Sequence, residues 1–308
     1  MSSAALHDGA LAVPVIDITS FRMPYADETV RAGIVAQVDE AARTVGFMHI
    51  TGHGIPAGTL SAFTAATDAF FALARELKHK YRCPPGTNRG YTPPKAESLA
   101  GGLGLASPAD LFEAMNIGAG YPGEDPPPDV CAPNVYPAEV PGFEAAVTDW
   151  FMAAGTVART MVRIFGAALG GREDYFAPFT GHAVDVLRIN NYRPPDVTPE
   201  PGQLGMDAHT DYGIVTVLWA DKVPGLEILG ADGGWHPVRP AERALLVNLG
   251  DAIARWTNDQ WISATHRVAA PRADGAGGAG VPRRSAAYFH GGQLDSRAAR
   301  EAARLLTA

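Results

Sequence analysis

Cysteine is scarce in this chain, which has only Cys83 and Cys131 among 308 residues. Two thiols in a chain of this length do not make a disulfide framework, and a reducing cytoplasm is the location that we expect. Apolar residues make up 46% of the chain and charged residues 19%, a balance that supports a buried core. We therefore expect a globular protein whose fold does not depend on disulfides.

Basic charge is also in short supply, because 25 Lys and Arg face 33 Asp and Glu, for a formal net charge of −8. Nucleic-acid affinity comes largely from clustered Lys and Arg, so this balance argues against a nucleic-acid partner. The start of the chain lacks the basic and apolar regions of a signal peptide, and no apolar run approaches the roughly 18 residues that span a bilayer. We expect no membrane partner and a small-molecule substrate.

Glycine and proline are plentiful, with 34 and 25 residues. So many turn-forming residues favour short elements and tilt the expected fold towards β structure. A single large domain with helical additions is the default expectation, since β-barrel enzymes reach this length.

The first 175 residues have a mixed helix and strand pattern. Apolar spacing predicts helices over 27–43, 57–80 and 143–169, and short strands over 13–18 and 47–50. The segment near 84–141 is dense in proline and glycine, which is typical of a lid or binding loop, and Leu111 to Asn116 is its one stretch that looks like a packed element. We expect the region 1–175 to pack against a barrel formed by the rest of the chain.

Short β-runs dominate the chain after residue 175. They cover 184–192, 214–219, 226–229, 244–249, 263–269 and 284–289. Strands at such short intervals predict a sandwich or a barrel. We place this core at 176–290 and a C-terminal tail at 291–308.

His209 and Asp211 lie two positions apart beside a predicted strand, where extended backbone turns both side chains to one face. His266 lies in a later β-run, and enough chain intervenes for strands to return it to the same place. Two imidazoles and one carboxylate form the facial triad that leaves positions open on non-haem Fe(II). The pattern therefore indicates an iron site.

The His-x-Asp spacing is weak evidence by itself. With nine histidines and 33 acidic residues, chance delivers about one such pair. A His and an Asp hydrogen-bonded at a strand end is the more common explanation of an isolated pair. The weight of His209-x-Asp211 depends on its neighbours.

Strand alternation turns Arg283 and Ser285 to one face, and a guanidinium inside a barrel needs an anion. Arg can grip a carboxylate with two parallel N–H bonds, and a serine hydroxyl can add a third donor. An Arg paired with a protein carboxylate is an equally common alternative. Asn190 and Tyr192 also share a face, although alone they would indicate only a strand with polar ends.

Further motifs follow one another along residues 13 to 290. They are Val13-Pro14-Val15-Ile16-Asp17, Gly46 to Ile55, Arg89-Gly90-Tyr91, Asn190-x-Tyr192, His209-Thr210-Asp211-Tyr212-Gly213, Pro224 to Glu227, Val247 to Asp251, Arg255 to Asp259, His266-Arg267-Val268 and Arg283-x-Ser285. In this set and order the chain resembles the isopenicillin-N-synthase-like branch of the Fe(II)/2-oxoglutarate-dependent dioxygenases.

The resemblance implies a mainly β fold with flanking helices, built on a double-stranded β-helix (jelly-roll, cupin-like) core. The Fe(II) ligands that it implies are His209, Asp211 and His266. It also implies that Arg283 and Ser285 hold the distal carboxylate of 2-oxoglutarate. By the same comparison, Tyr192 and Asn190 lie near the metal-chelating end of that co-substrate.

The activity implied is oxidation of an unactivated C–H of a small molecule, in which O₂ and 2-oxoglutarate are consumed and succinate and CO₂ are released. Hydroxylation is the first expectation, ahead of desaturation or cyclisation. Two alternatives stay open. One is an Fe(II) oxidase, cyclase or desaturase of the isopenicillin N synthase type that does not use 2-oxoglutarate, and the other is a non-catalytic metal-binding jelly-roll protein.

Substrate contacts are expected where the proline- and glycine-rich segment folds over the mouth of the barrel. The candidates are Arg89, Tyr91, Phe112, Asn116 and Leu187. Each of these residue types more often serves packing than binding. Arg89 hints at an acidic substrate, such as an amino or carboxylic acid, while the short tail after Phe289 and the amide at Asn191 depart from the family pattern and leave the substrate open.

Overall fold

Two β-sheets face each other across a cavity in this computed structural model. The structure describes residues 11–98, 108–120, 132–181, 183–194, 200–270 and 281–292. Within those ranges the strands are β1 (Val15–Asp17), β2 (Phe47–Thr51), β3 (Gly90–Thr92), β4 (Phe112–Gly118), β5 (Val186–Tyr192), β6 (Met206–His209), β7 (Val215–Ala220), β8 (Leu226–Leu229), β9 (Trp235–Pro237), β10 (Leu245–Leu249), β11 (His266–Val268) and β12 (Arg283–His290). The helices are α1 (Thr19–Arg22), α2 (Glu28–Thr44), α3 (Ala57–Phe71), α4 (Arg75–His79), α5 (Phe143–Ala168), α6 (Ala177–Thr180) and α7 (Asp251–Trp256).

The larger sheet has eight strands in the order β1-β2-β10-β7-β12-β5-β4-β3, and the smaller has four in the order β6-β11-β8-β9. With its flanking helices, this arrangement is the double-stranded β-helix that the sequence predicted. Strands β1 to β4, from the first half of the chain, belong to the same sheet as β5 and β12. The N-terminal region therefore extends the sheet as well as packing on it.

Alternation along the strands gives the larger sheet two different faces. Arg188 and Asn190 of β5 face the cavity, whereas Leu187 and Ile189 join the apolar core with α5. The long helix α5 supplies Trp150 and many other buried side chains to that core. Because one face is polar and the other apolar, a one-residue slip in register would exchange them, so the pattern fixes the register.

The predicted helix over 57–80 is in fact two helices, α3 and α4. No proline or glycine interrupts residues 72–74. Lys78 instead folds back to donate to the carbonyl oxygen of Phe71 at 3.3 Å and to Glu113 at 2.7 Å. A buried ion pair and a satisfied helix end thus replace one continuous helix.

The segment near 84–141 is less irregular than its composition predicted. It contains β3 and β4, and every residue of β4 is buried. Residues 99–107 and 121–131 of the expected lid lie outside the described residues. No helix in the described parts of the chain is long and apolar enough to cross a membrane.

Candidate metal and co-substrate site

Three side chains converge beside the smaller sheet. Strand β6 ends at His209 and β11 begins at His266, and antiparallel pairing sets these two residues opposite each other. Asp211 follows β6, and its Oδ1 lies 3.8 Å from the Nε2 atom of each histidine. Among the described residues, this is the one group of His, Cys, Asp or Glu whose ligand atoms, within 4.8 Å of one another, could hold a metal ion.

Backbone contacts orient both imidazoles. The Nδ1 atom of His209 lies 2.7 Å from the carbonyl oxygen of Asp207, and the Nδ1 atom of His266 lies 3.0 Å from that of Ala264. Each ring can therefore carry its proton on Nδ1 and turn the lone pair of Nε2 towards Asp211. Burial lowers the pKa of His209 to about 4, so its ring is neutral at physiological pH.

Asp211 is held as a carboxylate with one oxygen left for a metal. Its Oδ2 accepts hydrogen bonds from Thr216 Oγ1 at 2.5 Å and Asn248 Nδ2 at 2.7 Å. Burial acts to raise the pKa of Asp211, but the two histidines and these two hydrogen bonds hold it below its ordinary value. The two imidazoles and one carboxylate fit Fe(II) with open positions.

Thr216 and Asn248 were not predicted as site residues. Asn248 lies in the 247–251 motif, for which the sequence predicted no contact with the metal ligands. Thr216 and Asn248 are cross-strand partners on β7 and β10, so one pairing brings both donors to Asp211. That pairing joins strands far apart in sequence, and neither motif alone reveals it.

Gly250 lies against the backbone that carries Asp211. A Cβ at Gly250 would fall 2.1 Å from the carbonyl oxygen of Gly213 and 2.9 Å from that of Asp211. We expect Gly250→Ala to destabilise the fold by about 1–3 kcal/mol or more, because backbone atoms must shift to admit the methyl group. Thermal denaturation measures this, at roughly 2–4 °C per kcal/mol for a domain of this order of size.

The matched control for that substitution is Gly33→Ala in α2, where a Cβ meets nothing within 4 Å. Alanine is the better helix former, so Gly33→Ala is expected to leave the melting temperature unchanged or raise it. Equal melting temperatures for Gly250→Ala and Gly33→Ala would contradict the close approach of Gly250 to the backbone of Asp211.

Arg283 is a buried cation without a hydrogen-bond partner at two of its nitrogens. Its side chain is only 4% exposed, and the Nε and Nη1 atoms have no partner among the described residues. The guanidinium lies over the Tyr192 ring, 5.0 Å from its centroid. Burying an unpaired charge is costly, so this place in the cavity fits the carboxylate of an anionic ligand.

Pairing between β5 and β12 assembles the expected co-substrate residues. Arg283 lies opposite Tyr192, and Ser285 lies opposite Asn190. All four line the cavity of about 170 Å³ that also contains His209, Asp211 and His266. A larger depression of about 840 Å³, lined by Arg159 and Arg163 among others, includes none of these residues.

The residues expected to contact substrate are divided between two places. Arg89 and Asn116 line the cavity, and Phe112 packs beside it against Tyr192. Tyr91 donates to Glu113 at 2.5 Å within the core, and Leu187 is fully buried on the same face of the sheet, away from the cavity. The alternation that turns Arg188 inward turns Leu187 outward.

Comparison with known proteins gives two family matches. Residues 13–139 match a family described as the non-haem dioxygenase in morphine synthesis N-terminal region. Residues 184–292 match the 2OG-Fe(II) oxygenase superfamily. The second range includes the whole triad and the Arg283 and Ser285 pair.

Similar proteins and structures span most of the chain. A validamycin A dioxygenase of Streptomyces hygroscopicus subsp. limoneus is 32% identical over 269 residues, which are 85% of this chain and 72% of the relative. A proline hydroxylase of Petromyces alliaceus is 33% identical over 242 residues, covering 75% of this chain and 73% of the relative. The crystal structure of Neurospora crassa T7H with alpha-KG and thymine matches with a TM-score of 0.80 at 29% identity, covering 96% of this chain and 90% of that one.

Proposed function

Since the chain belongs to the 2OG-Fe(II) oxygenase superfamily and is a non-haem Fe(II)/2-oxoglutarate-dependent dioxygenase, we propose that it hydroxylates an unactivated C–H of a small molecule. O₂ and 2-oxoglutarate are consumed, and succinate and CO₂ are released. The observation that carries this proposal is one cavity lined by both the His209, Asp211 and His266 cluster and Arg283, whose Nε and Nη1 atoms have no hydrogen-bond partner among the described residues.

In this proposal the metal ligands are His209 Nε2, Asp211 Oδ1 and His266 Nε2. Bound Fe(II) supplies the activation of O₂. The protein holds two imidazoles and one carboxylate in fixed orientations through the contacts of His209, His266 and Asp211, and the hydrogen bonds to Asp211 keep its Oδ2 occupied. These contacts orient the ligand atoms before any metal binds.

The co-substrate is held through its distal carboxylate by Arg283 and Ser285. The free Nε and Nη1 atoms of Arg283 provide two N–H donors, and a serine hydroxyl provides a third. Asn190 and Tyr192 lie near the metal-chelating end. Burial supports the proposal, since Arg283 and Ser285 are shielded from the water that would weaken a charge-assisted contact.

The proposal also assigns a part to each region of the chain. The region 1–175 supports the core, the core is 176–290, and the tail is 291–308, of which 291–292 are described. The similar proteins are described with small molecules, which are validamycin A and proline in two enzyme names and thymine in the T7H complex. We propose a small-molecule substrate here too, in a cytoplasmic protein.

A panel of small molecules, scored for stimulated succinate release alongside O₂ uptake, tests the proposed function. We expect one succinate per O₂ and a product that has gained one oxygen atom. A product that has lost two hydrogens would replace hydroxylation by desaturation or cyclisation. Oxygen uptake with substrate but without 2-oxoglutarate would overturn the proposal in favour of the isopenicillin N synthase type of oxidase.

The hydrogen bonds to Asp211 allow a further prediction. We expect the double variant Thr216→Val/Asn248→Leu to bind Fe(II) roughly 10- to 100-fold more weakly, because Asp211 loses the contacts that orient it. Chelator competition under anaerobic conditions measures this affinity. Thr160→Val, at a buried hydroxyl bonded within α5, is the control, and equal Fe(II) affinity in both variants would contradict the role of Thr216 and Asn248.

A further inference from the structure

A second polar wall lines the cavity along β4 and β5. Arg188 lies four residues before Tyr192, which places it roughly 13 Å along the strand from the Arg283 end. Asn116 of β4 is the direct cross-strand partner of Arg188, and both line the cavity. The proposed co-substrate occupies the Arg283 end, so this wall faces the space left for substrate.

Each residue of the pair has a polar atom that is engaged and another that is buried without a partner among the described residues. The Nη2 of Arg188 lies 2.5 Å from Glu97 Oε2, and the Nδ2 of Asn116 donates to Asn88 Oδ1 at 2.8 Å. The Nε donor of Arg188 and the Oδ1 acceptor of Asn116 are buried, and neither has a hydrogen-bond partner in the described parts of the chain. Buried polar atoms are almost always paired, so this donor and acceptor point to a missing ligand.

The Arg188 and Asn116 pair itself does not favour a carboxylate substrate. Glu97 already neutralises the guanidinium of Arg188. Arg89, the other cation on this side of the cavity, donates to the neutral carbonyl oxygen of Asn88 at 2.7 Å and keeps its charge, so the experiment below includes a carboxylate. A carboxylate also has no N–H for Asn116 Oδ1 and would leave that oxygen unpaired.

The neighbouring lining is apolar. Val186 and Phe289 are cross-strand partners on β5 and β12, and both line the cavity. Such a surface suits the carbon skeleton of a ligand, while the Arg188 and Asn116 pair suits one polar edge of it.

Resting on the proposed function, we propose that the substrate is a compact cyclic amide, a lactam, imide or ureide. Its N–H donates to Asn116 Oδ1, and its adjacent C=O accepts from Arg188 Nε. An amide whose N–H and C=O lie on the same side, as a small ring enforces, matches two side chains that stand next to each other across two strands. An amino or carboxylic acid, the class that Arg89 suggested, is the alternative that the experiment below distinguishes.

Three ring compounds of similar size test the proposal: 2-piperidone, δ-valerolactone and cyclohexanecarboxylate. Each is titrated calorimetrically into the anaerobic Fe(II) protein saturated with 2-oxoglutarate. The lactam is expected to bind roughly 10-fold more tightly than the lactone, because the lactone leaves Asn116 Oδ1 unpaired. The carboxylate is expected to bind more weakly than the lactam.

Asn116→Leu separates direct contact from a structural effect. If the lactam N–H donates to Asn116, the substitution removes the preference for lactam over lactone and leaves the lactone affinity within about twofold. The effects of the two changes, in protein and in ligand, are then not additive, as expected of groups in contact. A structural role would weaken both ligands equally. Arg188→Met is expected to weaken lactam and lactone together, since both present a carbonyl to its Nε.

Equal lactam and lactone affinities in the wild-type protein would overturn the amide proposal, as would tightest binding of the carboxylate or no binding of the lactam. These outcomes are distinct from failure of the proposed function. If 2-oxoglutarate itself did not bind the Fe(II) protein, the co-substrate site would be wrong. If 2-oxoglutarate bound normally, only the substrate class would be wrong.

Discussion

Asp211→Ala is expected to abolish substrate-stimulated succinate release. The substitution removes the carboxylate oxygen that faces both histidines and leaves the Thr216 and Asn248 donors without their acceptor. The loss should far exceed the roughly 100-fold that follows when only a hydrogen bond to a metal ligand is lost. Fe(II) affinity and succinate release, measured on the same preparation, are both expected to fall.

A matched control is Asp232→Asn, at an exposed carboxylate bonded to His236 in the turn before β9. This variant is expected to retain wild-type Fe(II) affinity and activity. Asp211→Ala that kept wild-type Fe(II) affinity and turnover would show that the ion binds elsewhere. A melting curve for each variant separates loss of the site from loss of the fold.

Arg283→Gln is expected to raise the 2-oxoglutarate concentration required for half-maximal activity by roughly 10- to 100-fold. A hydrogen bond to a charged group contributes about 1.5–3 kcal/mol, and each 1.4 kcal/mol is about a factor of ten. The maximal rate should change less, because the proposed contact of Arg283 is to the carboxylate at the end of the co-substrate far from the metal. Varying 2-oxoglutarate at saturating Fe(II) measures the effect.

Arg284→Gln is the control on the opposite face of the same strand. Arg284 pairs with Asp68 at 3.1 Å and also donates to Asn191. Its loss is expected to affect stability and to leave the 2-oxoglutarate requirement unchanged. Undiminished 2-oxoglutarate affinity in Arg283→Gln, with a loss in Arg284→Gln, would move the anion site to Arg284.

Thermal stability gives an independent test of the same residue. A buried cation with unpartnered nitrogens destabilises the ligand-free protein, and an anion that pairs with it stabilises the complex. We therefore expect 2-oxoglutarate to raise the melting temperature of the wild-type Fe(II) protein much more than that of Arg283→Gln. Equal shifts would contradict the contact.

Local signals in the sequence were enough to predict much of the fold. Asp27 precedes the apolar spacing of α2, and its carboxylate accepts from the Thr29 N–H at 2.7 Å as an N-cap does. The six predicted β-runs after residue 175 correspond to β5, β7, β8, β10, β11 and β12. These elements were predictable because their own residues carry the helical or strand periodicity.

Other elements depend on contacts that local periodicity does not contain. The break between α3 and α4 accompanies the hydrogen bond of Lys78, in α4, to Glu113 of β4, which is distant in sequence. Strand β6 is short, with a mixed burial pattern, and was not predicted. The density of proline and glycine over 84–141 suggested a lid with one packed stretch at Leu111 to Asn116; that stretch lies largely in β4, and its pairing with β5 inside the sheet was not predicted.

The candidate site shows the same division. Motif order and strand alternation predicted that the triad and the Arg283 and Ser285 pair belong to one site, and all five residues line the same cavity. Of the pair proposed to bind substrate, Asn116 was predicted and Arg188 was not. Their cross-strand pairing joins two segments that are distant in sequence. Residues two apart on a strand share a face, so Arg188 lies on the cavity side with Asn190 and Leu187 lies on the other side. Arg188 could therefore have been predicted from the sequence.

The most direct test of one site for both Fe(II) and 2-oxoglutarate is an anaerobic titration followed by visible absorption. Adding 2-oxoglutarate to the Fe(II) protein is predicted to produce a metal-to-ligand charge-transfer band that saturates at one co-substrate per chain. The band should be absent in Asp211→Ala and should need more 2-oxoglutarate in Arg283→Gln. No band in the wild-type protein, or a band unchanged in both variants, would contradict the account.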